Sequence, residues 1–541
     1  MSHGYLNMVL HAHLPFVRHP EYRDSFEEKW LYEAITETYI PLLLGYQELI
    51  EKKIHFRITM SITPPLMEML ADELLQKRYV QHIERLIELS EKEKVRTRND
   101  PAFHQLALMY ERKFRISREV FVDRYHMNLL TAFKEIQSLG YLEIMTCCAT
   151  HGFLPLMEPQ KEAIRAQLHV AVNSYRKHMG SSPRGIWLAE CGYYPGHDEI
   201  LKELGIRFFF VDSHGIILAK PRPKYALYSP VLCPSGVAAF ARDPESSKQV
   251  WSSIEGYPGD FDYREFYRDV GYDLPMDYIA PYIHESGIRV NTGVKYYRIT
   301  GKTDQKEPYN EEAALRKTKI HARHFVNSRS EQSASLKDLM GRPPIITCPY
   351  DAELYGHWWY EGPEFLKAVF YETAAQNYPI EPVTPIGYLE RHPENPGATP
   401  SLSSWGHKGY CEYWLEECND WIYRHLHKAA ERMTELANSF RDCKDPLKVR
   451  ALNQAARELL LAQSSDWAFI IKTGTCVEYA EKRTKEHVLF FTRLYDEMKK
   501  GAITVPFLEA LEKKNNIFSE LDYRIYASRP EDLKSGERSS Q

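Results

Sequence analysis

Tyr5-Leu-Asn-Met-Val-Leu-His-Ala-His13 opens the chain with a short apolar run that ends in two histidines. Helical sequence follows over 30–52, and a second strand-like run lies at 55–62. Short apolar runs bounded by polar residues predict buried strands, and the apolar spacing within 30–52 predicts a helix. The order strand, helix, strand is one βαβ unit, whose two strands lie parallel.

The same strand-then-helix order continues through the first 350 residues. Further strand-like runs lie at 142–147, 185–189, 208–211, 289–291 and 344–348. Charged helical sequence fills 66–140 and predicts a helical insertion. Repeated β-then-α order predicts a parallel sheet, either open or closed into a barrel, with its ligand site at the carboxyl ends of the strands.

The length of 541 residues predicts more than one domain, since domains usually have roughly 100–200 residues. A Pro-rich stretch at 392–400 marks the expected boundary between a catalytic domain, 1–390, and a helical C-terminal domain, 391–530. Helical apolar spacing returns beyond it at 421–436 and 452–461. Pro and Gly interrupt 215–260, which predicts a lid-like loop region, and 531–541 reads as a flexible tail.

Composition excludes several classes of protein. The formal net charge of −5 and the pI near 6.5 argue against nucleic acid as a partner. Residues 1–10 lack the basic, apolar and small-residue pattern of a signal peptide, so none is expected, and no apolar run approaches the ~20 residues of a membrane span. We therefore expect a cytoplasmic protein without a membrane partner. Its nine cysteines are scattered and odd in number, as expected of reduced thiols.

Polar residues follow the strand-like runs and should converge on one face of the sheet. They are His11, His13, His151, Glu190, Asp212, His214 and Asp351. The pair His11 and His13 also allows a zinc interpretation, because residues i and i+2 of an extended segment face the same way.

Two segments offer the pair of carboxyls that glycoside cleavage with retention requires. Glu190 ends the run Gly185-Ile-Trp-Leu-Ala-Glu190 and is either a nucleophile or a partner for a buried arginine. Asp351 follows 344–348 within a region dense in carboxylates and tryptophan, which is otherwise explained as an aromatic core seam. Glu353 points away from Asp351 if the strand continues, and it is a candidate for a supporting hydrogen bond. A retaining pair predicts nearest carboxyl oxygens roughly 5–7 Å apart.

Four ordered segments resemble the signatures of glycoside hydrolase family 57. They are His11-Ala-His-Leu-Pro-Phe16, Ala149-Thr-His-Gly-Phe-Leu-Pro155, Trp187-Leu-Ala-Glu-Cys-Gly-Tyr193 and Tyr350-Asp-Ala-Glu-Leu-Tyr-Gly-His-Trp-Trp359. Together with Ser404-Trp405-Gly406 and Ser464-Ser-Asp-Trp467, they resemble its 1,4-α-glucan branching enzymes and the similar α-amylase-like members. The resemblance runs from about residue 5 to 525.

This resemblance implies a retaining enzyme on a seven-stranded β/α barrel followed by a helical domain, with an α-glucan substrate and no cofactor or metal. Glu190 matches the nucleophile and Asp351 the general acid/base. The expected substrate-binding residues are His11, His13, His151, Trp187, Asp212, His214, Arg264, His357, Trp358, Trp405, Gln463, Asp466 and Trp467.

Three other functions stay open at the sequence level. An α-amylase-like hydrolase would use the same two carboxyls but release the intermediate to water. In branching members of the family a loop tyrosine is tied to transfer, and 220–242 contains Tyr225 and Tyr228 in the corresponding region. A metal-dependent carbohydrate deacetylase would also use a β/α barrel, and a glucan-binding protein without activity would need neither carboxyl.

Overall fold

The computed structural model describes residues 4–252, 256–284, 286–375 and 378–529. Its strands are β1 Gly4–Ala12, β2 Ile58–Ile62, β3 Leu142–Cys147, β4 Gly185–Trp187, β5 Phe208–Val211, β6 Val231–Leu232, β7 Ala238–Ala241, β8 Ile345–Asp351 and β9 Ile380–Pro382. The expected tail, 531–541, lies outside the described residues.

Twenty α-helices are described in the same ranges. They are α1 Glu28–Ala34, α2 Ile40–Glu51, α3 Pro64–Leu70, α4 Glu73–Thr97, α5 Pro101–Arg118, α6 Leu129–Ser138, α7 Lys161–Met179, α8 His197–Glu203, α9 Ser213–Ile217, α10 Pro244–Trp251, α11 Val270–Asp273, α12 Met276–Ile279, α13 Glu311–Met340, α14 Gly362–Ala374, α15 Pro385–Arg391, α16 Trp421–Ser439, α17 Pro446–Ala462, α18 Ser465–Thr473, α19 Val477–Lys500 and α20 Val505–Lys514.

The chain forms two compact units, neither of which is continuous in sequence. The first comprises Met1–Met60, Met69–Ile144 and Arg242–His392. The second comprises Ser61–Glu68, Met145–Ala241 and Pro393–Gln541. The domain limits expected from sequence, 1–390 and 391–530, stay a prediction.

In the first unit, β1 lies parallel to both β8 and β9. The pairing aligns His11 of β1 with Asp351 of β8, at the carboxyl end of each strand. Every residue of β1 is buried, as expected for a strand covered on both faces. The long helices begin and end at recognisable caps. Asp72 accepts a hydrogen bond from the Leu75 amide at 3.1 Å before α4, and α13 ends at Gly341, whose φ is +68°.

In the second unit, β4 pairs parallel with β3 and with β5, and β5 pairs parallel with β7. The short strand β6 pairs antiparallel with β7. Its C-terminal part is helical from α16 to α20. The core of that part includes Phe153, whose ring stacks on Trp414 with centroids 4.4 Å apart.

These features confirm the predicted fold class: parallel strands alternating with helices, a helical insertion and a helical C-terminal region. The insertion is built from α3 to α6, and the expected helix at 30–52 is α1 and α2 joined by a π-helical turn, Ile35–Tyr39. Nine strands are described instead of seven, because the two-residue β6 and the three-residue β9 are added.

Two local predictions differ from the structure. No strand occurs at 289–291; the Arg289 guanidinium instead donates to the carbonyls of Gly271, at 2.6 Å, and Leu274, at 2.9 Å, and holds the segment in a loop. The stretch 215–260 contains β6, β7 and α10 as well as loops. β7 reads Ala-Ala-Phe-Ala, which has weak strand propensity, and it is a strand because it pairs with β5.

No helix among the described residues has the length and apolar character needed to cross a membrane. All nine cysteines are free thiols, as the sequence predicts.

Candidate functional site

Glu190 lies directly after β4 in a tight turn, Ala189–Cys191. Its backbone is left-handed, with φ 59° and ψ 25°, and Cys191 also has a positive φ of 52°. Such strain in residues other than glycine concentrates at functional sites. The turn leaves no room at Gly192, where a Cβ atom would come within 2.6 Å of the Phe153 ring. The surroundings therefore fix the direction in which Glu190 leaves the strand.

The Glu190 carboxylate is held by the second unit's own residues. The Trp405 indole Nε1–H donates to its Oε2 at 2.7 Å, and the Trp405 amide donates to the Glu190 carbonyl at 2.9 Å. Nδ1 of His151 lies 3.7 Å from Oε1. Trp187 is fully buried and meets the Trp405 ring edge-on, at 4.8 Å between centroids. Trp187, His151 and Trp405, predicted from three separate segments, therefore lie together around the Glu190 side chain.

His151 connects this carboxylate to the start of α18. Its Nδ1 lies 2.9 Å from the Ser465 hydroxyl, and the Ser465 amide donates to its carbonyl at 3.1 Å. The next residue, Asp466, accepts a hydrogen bond from the Ser464 hydroxyl. Ser465 was not predicted from the sequence, because it becomes significant only through its contact with a residue 314 positions away.

Two predicted residues of the same region have structural contacts. The Gln463 side chain accepts from Gln167 at 3.1 Å and is buried. Trp467 is 1% exposed, and its indole donates to the Leu461 carbonyl at 2.8 Å. Both side chains are buried, and these hydrogen bonds join them to other parts of the protein interior.

Asp212 and His214 lie at the start of α9. Asp212 Oδ1 accepts from the Ser213 amide at 2.6 Å and lies 3.4 Å from Nδ1 of His214. The other ring nitrogen of His214, Nε2, lies 2.6 Å from the Gly409 carbonyl. The hydrogen bond with Asp212 is the largest influence on His214 and raises its pKa. This pair links α9 to the loop around Gly409.

In the first unit, the ends of β1 and β8 carry His11, His13 and Asp351. The two histidine rings stack at 5.7 Å, and His11 is the register partner of the half-buried Asp351. Glu353 accepts a hydrogen bond from the His13 amide at 3.2 Å and from the Tyr39 hydroxyl at 2.5 Å. Burial raises the pKa of Glu353 to about 7, although the Tyr39 hydrogen bond opposes the shift. Glu353 is thus a protonatable group near neutral pH two residues after Asp351.

His357 and Arg264 belong to a buried cluster of charged side chains around the π-helical turn. His357 Nδ1 lies 2.6 Å from Glu37 Oε2, and Arg264 lies 3.4 Å from Glu37 Oε1. Burial lowers the pKa of His357, but the hydrogen bond and charge of Glu37 outweigh it and raise the pKa overall. Burial also raises the pKa of Glu33, one turn earlier, to about 7.

Sequence reasoning did not find Glu33 and Glu37. Their spacing of four residues on one helix was the available signal, because it places both carboxylates on the same face. The structure uses that face to hold His357.

Trp358 is the exposed aromatic residue of this set. It is 55% exposed, and its ring stacks on Phe266 with centroids 4.5 Å apart. A flat ring backed by another ring and open on its other side suits stacking against the C–H face of a sugar.

Comparison with known proteins gives two matches to family models. The model for glycosyl hydrolase family 57 matches residues 7–326, and the model for the C-terminal domain of 1,4-alpha-glucan branching enzymes matches 425–526. A curated 1,4-alpha-glucan branching enzyme of Thermococcus kodakarensis is 36% identical over 560 residues, which cover 97% of this chain and 79% of the relative.

Solved structures of high similarity include members with two different activities. The alpha-amylase AmyC of Thermotoga maritima is 49% identical, with a TM-score of 0.92 over 98% of this chain and 100% of that one. A branching enzyme of the same family from Pyrococcus horikoshii is 34% identical, with a TM-score of 0.87 over 97% of each chain.

Proposed function

This chain belongs to glycosyl hydrolase family 57, and from that premise we propose that it is a retaining α-glucan-active enzyme, a 1,4-α-glucan branching enzyme. The observation that carries the proposal is the Glu190 carboxylate at the end of β4, held at 2.7 Å by the Trp405 indole. The similarity to curated branching enzymes and the match to their C-terminal model support the reaction.

Glu190 acts in this proposal as the nucleophile. Its carboxylate attacks the anomeric carbon of the glucan, and the bond to the leaving 4-oxygen breaks. A fixed carboxylate reaches the near-attack geometry without losing further freedom, and the Trp405 hydrogen bond and the strained turn support that role.

Asp351 acts as the general acid and then as the general base. It gives its proton to the leaving 4-oxygen and later takes the proton from the 6-hydroxyl of an acceptor glucan, which attacks the glycosyl-enzyme and forms the α-1,6 linkage.

Hydrolysis of α-1,4-glucans is the second candidate function. It is favoured by the 49% identity to the T. maritima alpha-amylase, and it needs only that water replaces the acceptor hydroxyl. Transfer requires that water is kept from the intermediate, and we propose that the loops within 215–260, which contain Tyr225 and Tyr228, have that role.

Incubation with amylose separates the two candidates. Branching lowers the iodine absorbance and produces the α-1,6 signal in proton NMR with few new reducing ends. Hydrolysis raises reducing ends in step with the loss of colour. Reducing ends that accumulate without an α-1,6 signal would contradict the branching proposal.

Further parts of the proposal concern the substrate, the metal and the location. Trp358 is proposed to stack on a glucose ring, since 55% of it is exposed. The reaction as proposed needs no metal, and activity that is abolished by EDTA and restored by zinc would instead favour the deacetylase alternative. A cytoplasmic location is proposed because all nine cysteines are free thiols.

A further inference from the structure

A polar cavity of about 330 Å³ lies in the first unit between α1 and α4. Its wall comprises residues of 23–32, 78–86, 280–283 and 291–292. The volume is at the lower end of the ~300–1,000 Å³ range of small-molecule sites. None of these residues belongs to the candidate site described above.

Cationic side chains outnumber carboxylates in the cavity wall. Four of them line it: Arg23, Lys29, Arg78 and Arg85. The wall has two carboxylates, Asp24 and Glu28. Glu28 already pairs with Arg78, because both of its carboxylate oxygens accept hydrogen bonds from the Arg78 guanidinium, at 2.6 and 2.7 Å. Four cations and two carboxylates leave a formal charge of +2 among the lining residues.

Three of the cations keep unused hydrogen-bonding capacity. Lys29 lies 3.8 Å from its nearest carboxylate, Asp24, which is beyond hydrogen-bond distance. In the described ranges, no protein group forms a hydrogen bond or ion pair with Arg23 or Arg85. These donors come from the loop before α1, from α1 and from α4, and they line the same volume.

The cationic groups around the cavity lower the pKa values of their basic neighbours. Burial is the main cause that lowers the pKa of Lys29, and the charge of Arg85 lowers it further. Burial and then the charges of Lys29 and Arg85 lower the pKa of His82 to about 3, so its ring is neutral at pH 7. An anion in the cavity would relieve this repulsion.

We propose that this cavity binds a phosphate monoester dianion carried by a small sugar or nucleotide. A charge of −2 balances the excess of the lining residues. The Arg85 guanidinium offers a planar fork of donors to phosphate oxygens, and the Lys29 ammonium adds a compact charge. The cavity also includes the Tyr32 and Tyr282 rings and the Gln81 amide, which can pack against and hydrogen-bond the rest of such a molecule. This site is independent of the proposed glucan reaction.

Isothermal titration calorimetry on the full chain tests the proposal with four probes: inorganic phosphate, glucose 6-phosphate, AMP and uncharged glucose. We expect the phosphate compounds to bind, with an affinity that falls as salt is added, and glucose not to bind at this site. The tighter of the two esters identifies the carrier. Arg85→Ala should weaken binding roughly tenfold or more, because it removes a charge-assisted contact, and Arg85→Glu should abolish it.

Arg98→Ala is the matched control, because Arg98 is an exposed arginine that follows the same helix, α4, and does not line the cavity. Arg85 is also exposed, so all three variants should keep the parent Tm. The proposal is overturned if no phosphate compound binds at millimolar concentration, or if Arg85→Ala and Arg98→Ala change the affinity equally.

Discussion

Trp405→Phe should lower kcat on amylose by about 10- to 100-fold. The substitution removes the indole N–H that donates to Glu190 Oε2 at 2.7 Å. A hydrogen bond to a charged group contributes about 1.5–3 kcal/mol, and each 1.4 kcal/mol corresponds to about a factor of ten. A phenyl ring keeps an aromatic contact for Trp187, and the backbone hydrogen bond from residue 405 to the Glu190 carbonyl remains. The loss therefore isolates one hydrogen bond that orients the proposed nucleophile.

Initial rates measured over a range of amylose concentrations give kcat and KM separately, and thermal unfolding gives Tm. A positioning role lowers kcat and leaves KM and Tm close to the parent values. Trp421→Phe is the control, since Trp421 is a half-buried tryptophan at the start of α16 in the same unit. The reasoning is refuted if kcat of Trp405→Phe stays within about twofold of the parent value, because the loss of one ordinary hydrogen bond should lower it further. It is also refuted if Trp421→Phe lowers kcat equally.

Three further predictions address catalysis, stability and pH. Glu190→Gln should remove nearly all turnover but keep glucan binding in affinity electrophoresis, and substantial residual turnover would disprove the nucleophile assignment. Gly45→Ala should raise the free energy of unfolding by up to about 1 kcal/mol, because Gly45 is inside α2 and its added Cβ meets no atom within 4 Å. Gly356→Ala should lower it by about 1–3 kcal/mol or more, since φ is +118° and the Cβ would lie 1.8 Å from the Glu37 carbonyl oxygen; chemical denaturation measures both, and equal effects would contradict the packing argument. Burial raises the pKa of Glu353 from 4.5 to about 7, so the folded state holds a proton that the unfolded state releases, and stability should fall as pH rises from about 4.5 to 7. Glu353→Gln should flatten that part of the stability profile, and an unchanged slope would show that Glu353 does not titrate there.

The relatives of this chain show why the reaction must be decided by product analysis. The similar solved structures with TM-scores of 0.92 and 0.87 are an alpha-amylase and a branching enzyme, respectively. Both reactions proceed from the same glycosyl-enzyme, so the fold and the two carboxyls do not distinguish them. The difference lies in which hydroxyl reaches the intermediate, and this depends on the loops that exclude water.

The sequence by itself determined the elements whose signal is local. A strand or helix repeats its pattern within a few residues, so it can be predicted locally. This applies to the apolar run of β1, the helical spacing of α1 and α2, and the charged insertion 66–140. The same locality placed His11 and Asp351 at strand ends, where the structure aligns them. Short or weakly patterned segments carry too little of this periodic signal to be predicted correctly. The predicted strand at 289–291 does not form, and β7 was not predicted.

Only the tertiary structure decided which side chains meet. Trp405 donates to a carboxylate 215 residues away, and His357 contacts Glu37 across 320 residues. Glu33 and Glu37 and the cations of the α1/α4 cavity were not singled out from the sequence. Contacts of this kind leave no trace in local periodicity, because they depend on how distant elements pack and on the low dielectric of the interior that results. The sequence thus specified the strands, the helices and the chemical groups, and packing specified their partners, their pKa values and the strained turn that holds Glu190.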